Sequence, residues 1–221
     1  MAPEPSENLP DEARLALAHT KPILRDALRI FLDFDHRLAR IVSATTEPML
    51  GQMRLAWWRD MLGMDVSDRP HGDAVLDAIG EVWAGKEAAL MALVDGWEHM
   101  LSDPPLSRDA ALAFAKGRGA GRAGLAERID APASVRDHAR ACGEIWALAD
   151  AASHIAQGPE RDTLLDLAQE LHWANKALPA PLRGVAVLGA LAKRSVEAGG
   201  APLMAGRGAA LVALRAGLFG R

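Results

Sequence analysis

Breaks that carry proline or glycine cut this chain at short intervals, and between them the apolar residues recur at helical rather than alternating spacing. "TEP" at 46–48, "SDRPHGD" at 67–73, "SDPPLS" at 102–107, "DAP" at 130–132, "GP" at 158–159, "LPAP" at 178–181 and "GGAP" at 199–202 are the breaks. No stretch alternates as a strand does, and no fixed-period repeat appears. The composition agrees: Ala, Leu, Arg, Glu and Asp abound, Tyr is absent and Phe occurs four times, which suits helices and deprives strands of their preferred residues. An all-α fold is expected.

Pro10-Asp11-Glu12 reads as a helix start, because acids in the first turn complement the exposed amides there. That helix is expected to reach about His19, after a disordered leader over residues 1–9. Pro22 opens a helix over 22–44 with Ile23, Ala27, Ile30 and Phe34 on one stripe. Pro48 opens the next, in which Leu50, Met53, Trp57, Met61 and Met64 recur at helical spacing. Helices follow over 74–83, around Leu90, Leu93, Val94, Trp97 and Leu101, and over 108–128, 133–157, 160–177, 182–198 and 207–218.

With 221 residues, half of them apolar, the chain suits a single domain over residues 10–221. Its net charge of −4 argues against a nucleic-acid partner. Cys142 is the sole cysteine, so an intrachain disulfide is impossible and a reduced compartment is expected. The acidic start "MAPEPSENLPDEA" lacks the pattern of a targeting segment. The most apolar run, "GVAVLGALA" at 184–192, ends in Lys193 and Arg194 and is too short to span a bilayer. A cytoplasmic location is expected, peripheral to the inner membrane at most. The C-terminal "GRGAALVALRAGLFGR" suits either a helix docked on the core or one lying on a membrane, with Leu211, Leu214 and Leu218 on one side and Arg207, Arg215 and Arg221 elsewhere.

Asp33 and Asp35 are the first candidates for chemistry. Acids two apart on a helix diverge by roughly 200°, so they cannot aim at one metal; salt-bridged or solvated roles are the alternative. Trp57 falls on the Met/Leu stripe and is expected in the core. Trp58 stands in the neighbouring row with Arg54, where an aromatic beside a guanidinium can line a cavity for an apolar chain with an anionic head. In "AKGRGAGRAGLAER", 115–128, Lys116, Arg118 and Arg122 could face a phosphate, but no strand precedes them. Gly117, Gly121 and Gly124 are better read as permitting close helix approach. The pair Asp150 and His154 reads as a helix-surface contact. No metal site and no nucleophile emerges from the spacing.

The stretches "EPMLGQMRLAWWRDML", "LVDGWEHMLSDPPLS", "FAKGRGAGRAGL" and "LPAPLRGVAVLGALAKRSVEAGGAPL" together resemble the squalene/phytoene synthase family. The resemblance covers most of residues 12–221, and "RLAWWRD" is its most specific part. It implies an isoprenoid-synthase-like helical bundle, in which catalytic members join two prenyl diphosphates using Mg²⁺ held by two Asp-rich helices. One such motif would fall at "LDFDHRLARI", where Asp33 and Asp35 have the wrong spacing. The other would fall at "CGEIWALADAASHIAQG", where Asp150 has His154 four residues on instead of a second acid. Loss of both acid pairs removes the charge stabilisation that diphosphate departure requires.

The expectation is therefore a degenerate member, closer to the family's non-catalytic branch, which acts in assembly of respiratory complex I. It would bind an isoprenoid or lipid, or act as an assembly factor with a protein partner. Arg54, Trp58, Arg118 and Arg122 are its expected ligand contacts, and no cofactor is expected. Two alternatives remain: an active Mg²⁺-dependent prenyltransferase using Asp33 or Asp35 with Asp150 or Glu144, and a purely structural interaction protein.

Overall fold

A computed structural model of the chain describes residues 9–171 and 176–221, which form ten α-helices and, among the described residues, no strand. They are α1 (Asp11–Ala18), α2 (Pro22–Ser43), α3 (Pro48–Gly63), α4 (Ala74–Val82), α5 (Ala88–Glu98), α6 (Arg108–Glu127), α7 (Ala133–His154), α8 (Pro159–Glu170), α9 (Arg183–Glu197) and α10 (Gly208–Phe219). Proline at the first helical position starts α2, α3 and α8, where its missing N–H costs nothing. Asp73 caps α4 by accepting from the Val75 and Leu76 amides at 2.9 and 3.1 Å. Ser107 caps α6 by accepting from the Ala110 amide at 3.1 Å. Both satisfy amides that a helix start leaves orphaned.

The all-α expectation holds. Two helix ends differ from it. The helix placed over 160–177 stops at Glu170; residues 172–175 lie outside the described residues, and 176–179 are not helical. The helix placed over 133–157 stops at His154. Of the expected leader, only Leu9 is described, and it is buried.

α6 is the central helix, packed along α5 on one side and α7 on the other and touching α2; α7 carries α8 and α9, and α9 carries α1 and α10. Most buried positions from Ala110 to Ala126 are alanine or glycine, which lets neighbouring helices close on it. A Cβ on Gly117 would sit 2.7 Å from the Gly96 Cα, so backbone meets backbone where α5 crosses α6. A Cβ on Gly121 would collide with the Phe31 ring of α2. These glycines pack helices, and the "GRGAGRAG" segment is helix throughout. One core cluster runs from Leu9 to Leu203, and a smaller one joins Val187 and Leu191 of α9 to Ala209, Ala213 and Ala216 of α10.

α3 reverses the expected orientation. Leu50, Met53, Trp57 and Met64 are exposed, Trp57 at 40%, whereas Leu55, Trp58 and Leu62 are buried. Only Met61 of the expected stripe faces inward. The row Leu55, Trp58, Leu62 is also at helical spacing, and it is the one turned inward as α3 packs on α2 and α5. Trp58 packs on Phe34 with ring centroids 4.8 Å apart.

Candidate functional site

Four helices converge on one buried guanidinium. α6 projects Arg118 towards α2 and α7, and Gly117 and Gly119 beside it leave room for α5 and α7 to approach. Its Nε donates to Asp35 Oδ1 at 2.9 Å and its Nη2 to Asp35 Oδ2 at 2.6 Å. Its Nη1 donates to Asp150 Oδ2 at 2.9 Å. Trp97 of α5 completes the set, donating its indole N–H to Asp35 Oδ1 at 3.0 Å. Both Arg118 and Asp35 are buried, so the bidentate pairing supplies the hydrogen bonds that burial of charge demands. The Arg118 guanidinium carbon lies 3.7 Å from the centre of the Trp146 ring of α7.

Arg122, one turn further along α6, is fully buried. Its guanidinium carbon lies 4.1 Å from the Trp146 ring centre and 4.2 Å from that of Phe31. Its Nη1 donates to the Arg118 carbonyl at 3.3 Å, while Nε and Nη2 have no hydrogen-bond partner among the described residues. Burial pulls Arg122 down to about 9, against the pull of Asp35 and with that of Arg118. It remains cationic at neutral pH. Burial acts on Arg118 too, but Asp35 and Asp150 outweigh it and hold Arg118 above its ordinary value. Two arginines thus face two aspartates, and the quartet is neutral. Cys142, in the same interior, is pushed up to about 12 by burial and stays a thiol.

A cavity of about 430 Å³ opens above the quartet, within the size range of small-molecule pockets. Asp35, Trp97, Phe114, Arg118 and Trp146 form its inner end; Leu32, Ala39, Val42, Met100 and Ile155 line its apolar walls. Glu12, Arg40 and the exposed His154 stand towards solvent. Burial raises the Glu12 carboxyl above its usual value, and the negative charge of Asp150 adds to the rise.

The sequence candidates separate in space. Asp33 and Asp35 point to different faces of α2, as their spacing requires. Asp33 pairs with Arg29 at 3.7 Å, and Asp35 with Arg118. Arg118 lines the cavity, whereas Arg122 stacks on Trp146 and is not part of the lining. Arg54 is exposed on α3, and Trp58 belongs to the core; neither lines this cavity. Lys116 is exposed as well. His154 meets Asp150 on the surface of α7, with Nδ1 3.7 Å from Oδ1. Trp97 and Trp146 were absent from the sequence candidates, although Trp97 lies on a clear apolar stripe; an indole N–H on such a stripe needs a buried acceptor.

The cavity's two aspartates do not fit a divalent cation. Mg²⁺ needs several hard oxygen ligands in octahedral array, whereas the Asp35 carboxylate already accepts three hydrogen bonds and shares the Arg118 fork with Asp150. Among the described residues no three His, Cys, Asp or Glu side chains gather as a metal site would require. Glu144 is half-buried on α7 and its carboxyl is raised by burial, but it is not part of the cavity lining. No described helix is long and apolar enough to cross a membrane. The chain matches no protein-family model, no curated protein and no solved structure.

Proposed function

We propose that this chain is a non-catalytic, squalene/phytoene synthase-like protein that holds an uncharged isoprenoid or similar lipid in the cavity above Arg118. The observation that carries this reading is the Arg118 fork joining Asp35 to Asp150. Those two acids stand in the helices where the resemblance puts the metal motifs, and a guanidinium takes the position between them. With the quartet neutral, the inner end offers no net charge to a diphosphate or a cation, while its aromatic and aliphatic walls suit a hydrocarbon chain.

The test follows farnesol binding and Mg²⁺-dependent diphosphate release from farnesyl and geranylgeranyl diphosphate in parallel. Farnesol should change the tryptophan fluorescence, because Trp97 and Trp146 line the cavity, and no diphosphate should be released. Mg²⁺-dependent release lost in Asp35→Asn would establish the active prenyltransferase instead. Absence of farnesol binding would remove the lipid-carrier reading.

A second reading, that of an assembly factor with a protein partner, draws on the exposed Met49, Leu50, Met53, Trp57 and Met64 of α3. Methionine-rich faces adapt to varied partners. Replacement of Met53 and Trp57 by serine should then abolish cellular function while leaving farnesol binding intact; retained function would exclude this face.

A further inference from the structure

We infer that α10 is a docking element for an anionic lipid bilayer surface. The helix is turned against ordinary amphipathic design. Its small residues Ala209, Ala213, Ala216 and Gly217 face the protein, whereas Leu211, Leu214, Leu218 and Phe219 stand 49–69% exposed. The inward face is fixed by close contact: Ala209 and Ala213 pack on Val187 and Leu191 of α9, and a side chain at Gly217 would strike the His19 ring. Rotation of the helix to bury its leucines is therefore blocked, and the outward apolar face is a built feature of the folded protein.

Charge selects the occupant. From Ala198 to Arg221 the chain has no Asp or Glu and three arginines, in a protein whose net charge is −4. Arg207, Arg215 and Arg221 are all exposed. The sequence alone suggested that they lie away from the leucines, but Arg215 stands one turn from Leu211 on the same outward face. A helix that presents large apolar side chains interspersed with arginine, and no acid, matches the boundary between acyl chains and anionic headgroups. It matches less well a second copy of the same cationic face, which would repel it. A helix of twelve residues is about 18 Å long, enough to lie in that boundary but not to cross it. This assignment is independent of the cavity reading.

The test is co-sedimentation of the full chain with vesicles of phosphatidylcholine alone and of phosphatidylcholine with about one third phosphatidylglycerol. Binding to the anionic vesicles should be at least about tenfold stronger and should weaken with added salt. Leu214→Ser with Leu218→Ser should reduce it at least about tenfold, a change confined to exposed positions. Arg207→Gln with Arg215→Gln, which leaves the apolar face and the fold untouched, should bring binding down to the level seen with phosphatidylcholine alone. Equal binding to both vesicle types, or retention of binding in either α10 variant, overturns the proposal. So does a dimer in sedimentation equilibrium that Leu214→Ser dissociates without any vesicle binding, which assigns the face to a second copy.

Discussion

Arg118 grips Asp35 by both arms of its guanidinium across 83 positions of sequence, at 2.9 and 2.6 Å, and this pairing ties the central helix to α2. Replacing Arg118 by Met would leave Asp35 buried with only the Trp97 indole to solvate it, and would leave Asp150 with His154 alone, at 3.7 Å. The expected loss is about 3–5 kcal/mol, the usual cost of orphaning a buried charge. Adding Asp35→Leu to Arg118→Met should recover part of that loss, because both charges then disappear. Urea unfolding of the two single variants and the double variant measures the coupling. Additive losses would mean that the pair is not the energetic unit described.

Gly121 gives way to Phe31. Alanine at 121 removes a residue that costs a helix about 1 kcal/mol, yet its Cβ would occupy the space of the Phe31 ring. Overpacking should win, with a net destabilisation of about 1–3 kcal/mol. Phe31→Leu in the same chain should relieve it more than Phe31→Leu harms the parent. Thermal melts of the four chains decide the matter, and a stabilised Gly121→Ala would show that the α2 and α6 helices can separate at no cost.

These relationships mark the boundary of what the sequence discloses. Proline and glycine act locally, so the helix starts at Pro22 and Pro48 and the all-helical architecture could be read from the chain. Which of two adjacent apolar rows turns inward is not local. In α3 the row through Met53 and Trp57 and the row through Leu55 and Trp58 both have helical period, and the second is the one that meets α2 and α5, with Trp58 on Phe34. The partnership of Asp35, Arg118 and Asp150 is likewise set by three helices meeting. Spacing correctly separates Asp33 from Asp35, but it has no means of naming the arginine that claims Asp35. Arg54 neighbours Trp58 along the helix, but Trp58 turns into the core and Arg54 stays on the surface.

Glu12 supplies a pH signature at the cavity entrance. Its folded pKa is raised from 4.5 by burial and then by Asp150, so between 4.5 and the folded value the native state binds more protons than the unfolded state. Stability from this group is present below 4.5 and is lost as pH rises through the folded value. Glutamine imitates the protonated form. Glu12→Gln should therefore match the parent near pH 4 and exceed it at about pH 7. Urea midpoints at both pH values check this; a variant less stable at neutral pH would mean that the charged carboxylate is favoured by the fold.

The cavity itself can be closed without disturbing the charges beneath it. Ala39 lines the wall on α2, one turn from Asp35 but outside its hydrogen bonds. A phenylalanine there would project a ring into space a hydrocarbon chain would occupy, and its apolar surface would be at least partly covered. Ala39→Phe should keep the parent's stability within about 1 kcal/mol, since the added volume enters a void rather than a packed core. Its affinity for farnesol should fall at least about tenfold, because an apolar ligand gains its free energy from the area it buries. Fluorescence titration and a thermal melt on the same preparation separate the two effects. Unchanged farnesol affinity in a stable Ala39→Phe would place the ligand elsewhere on the protein.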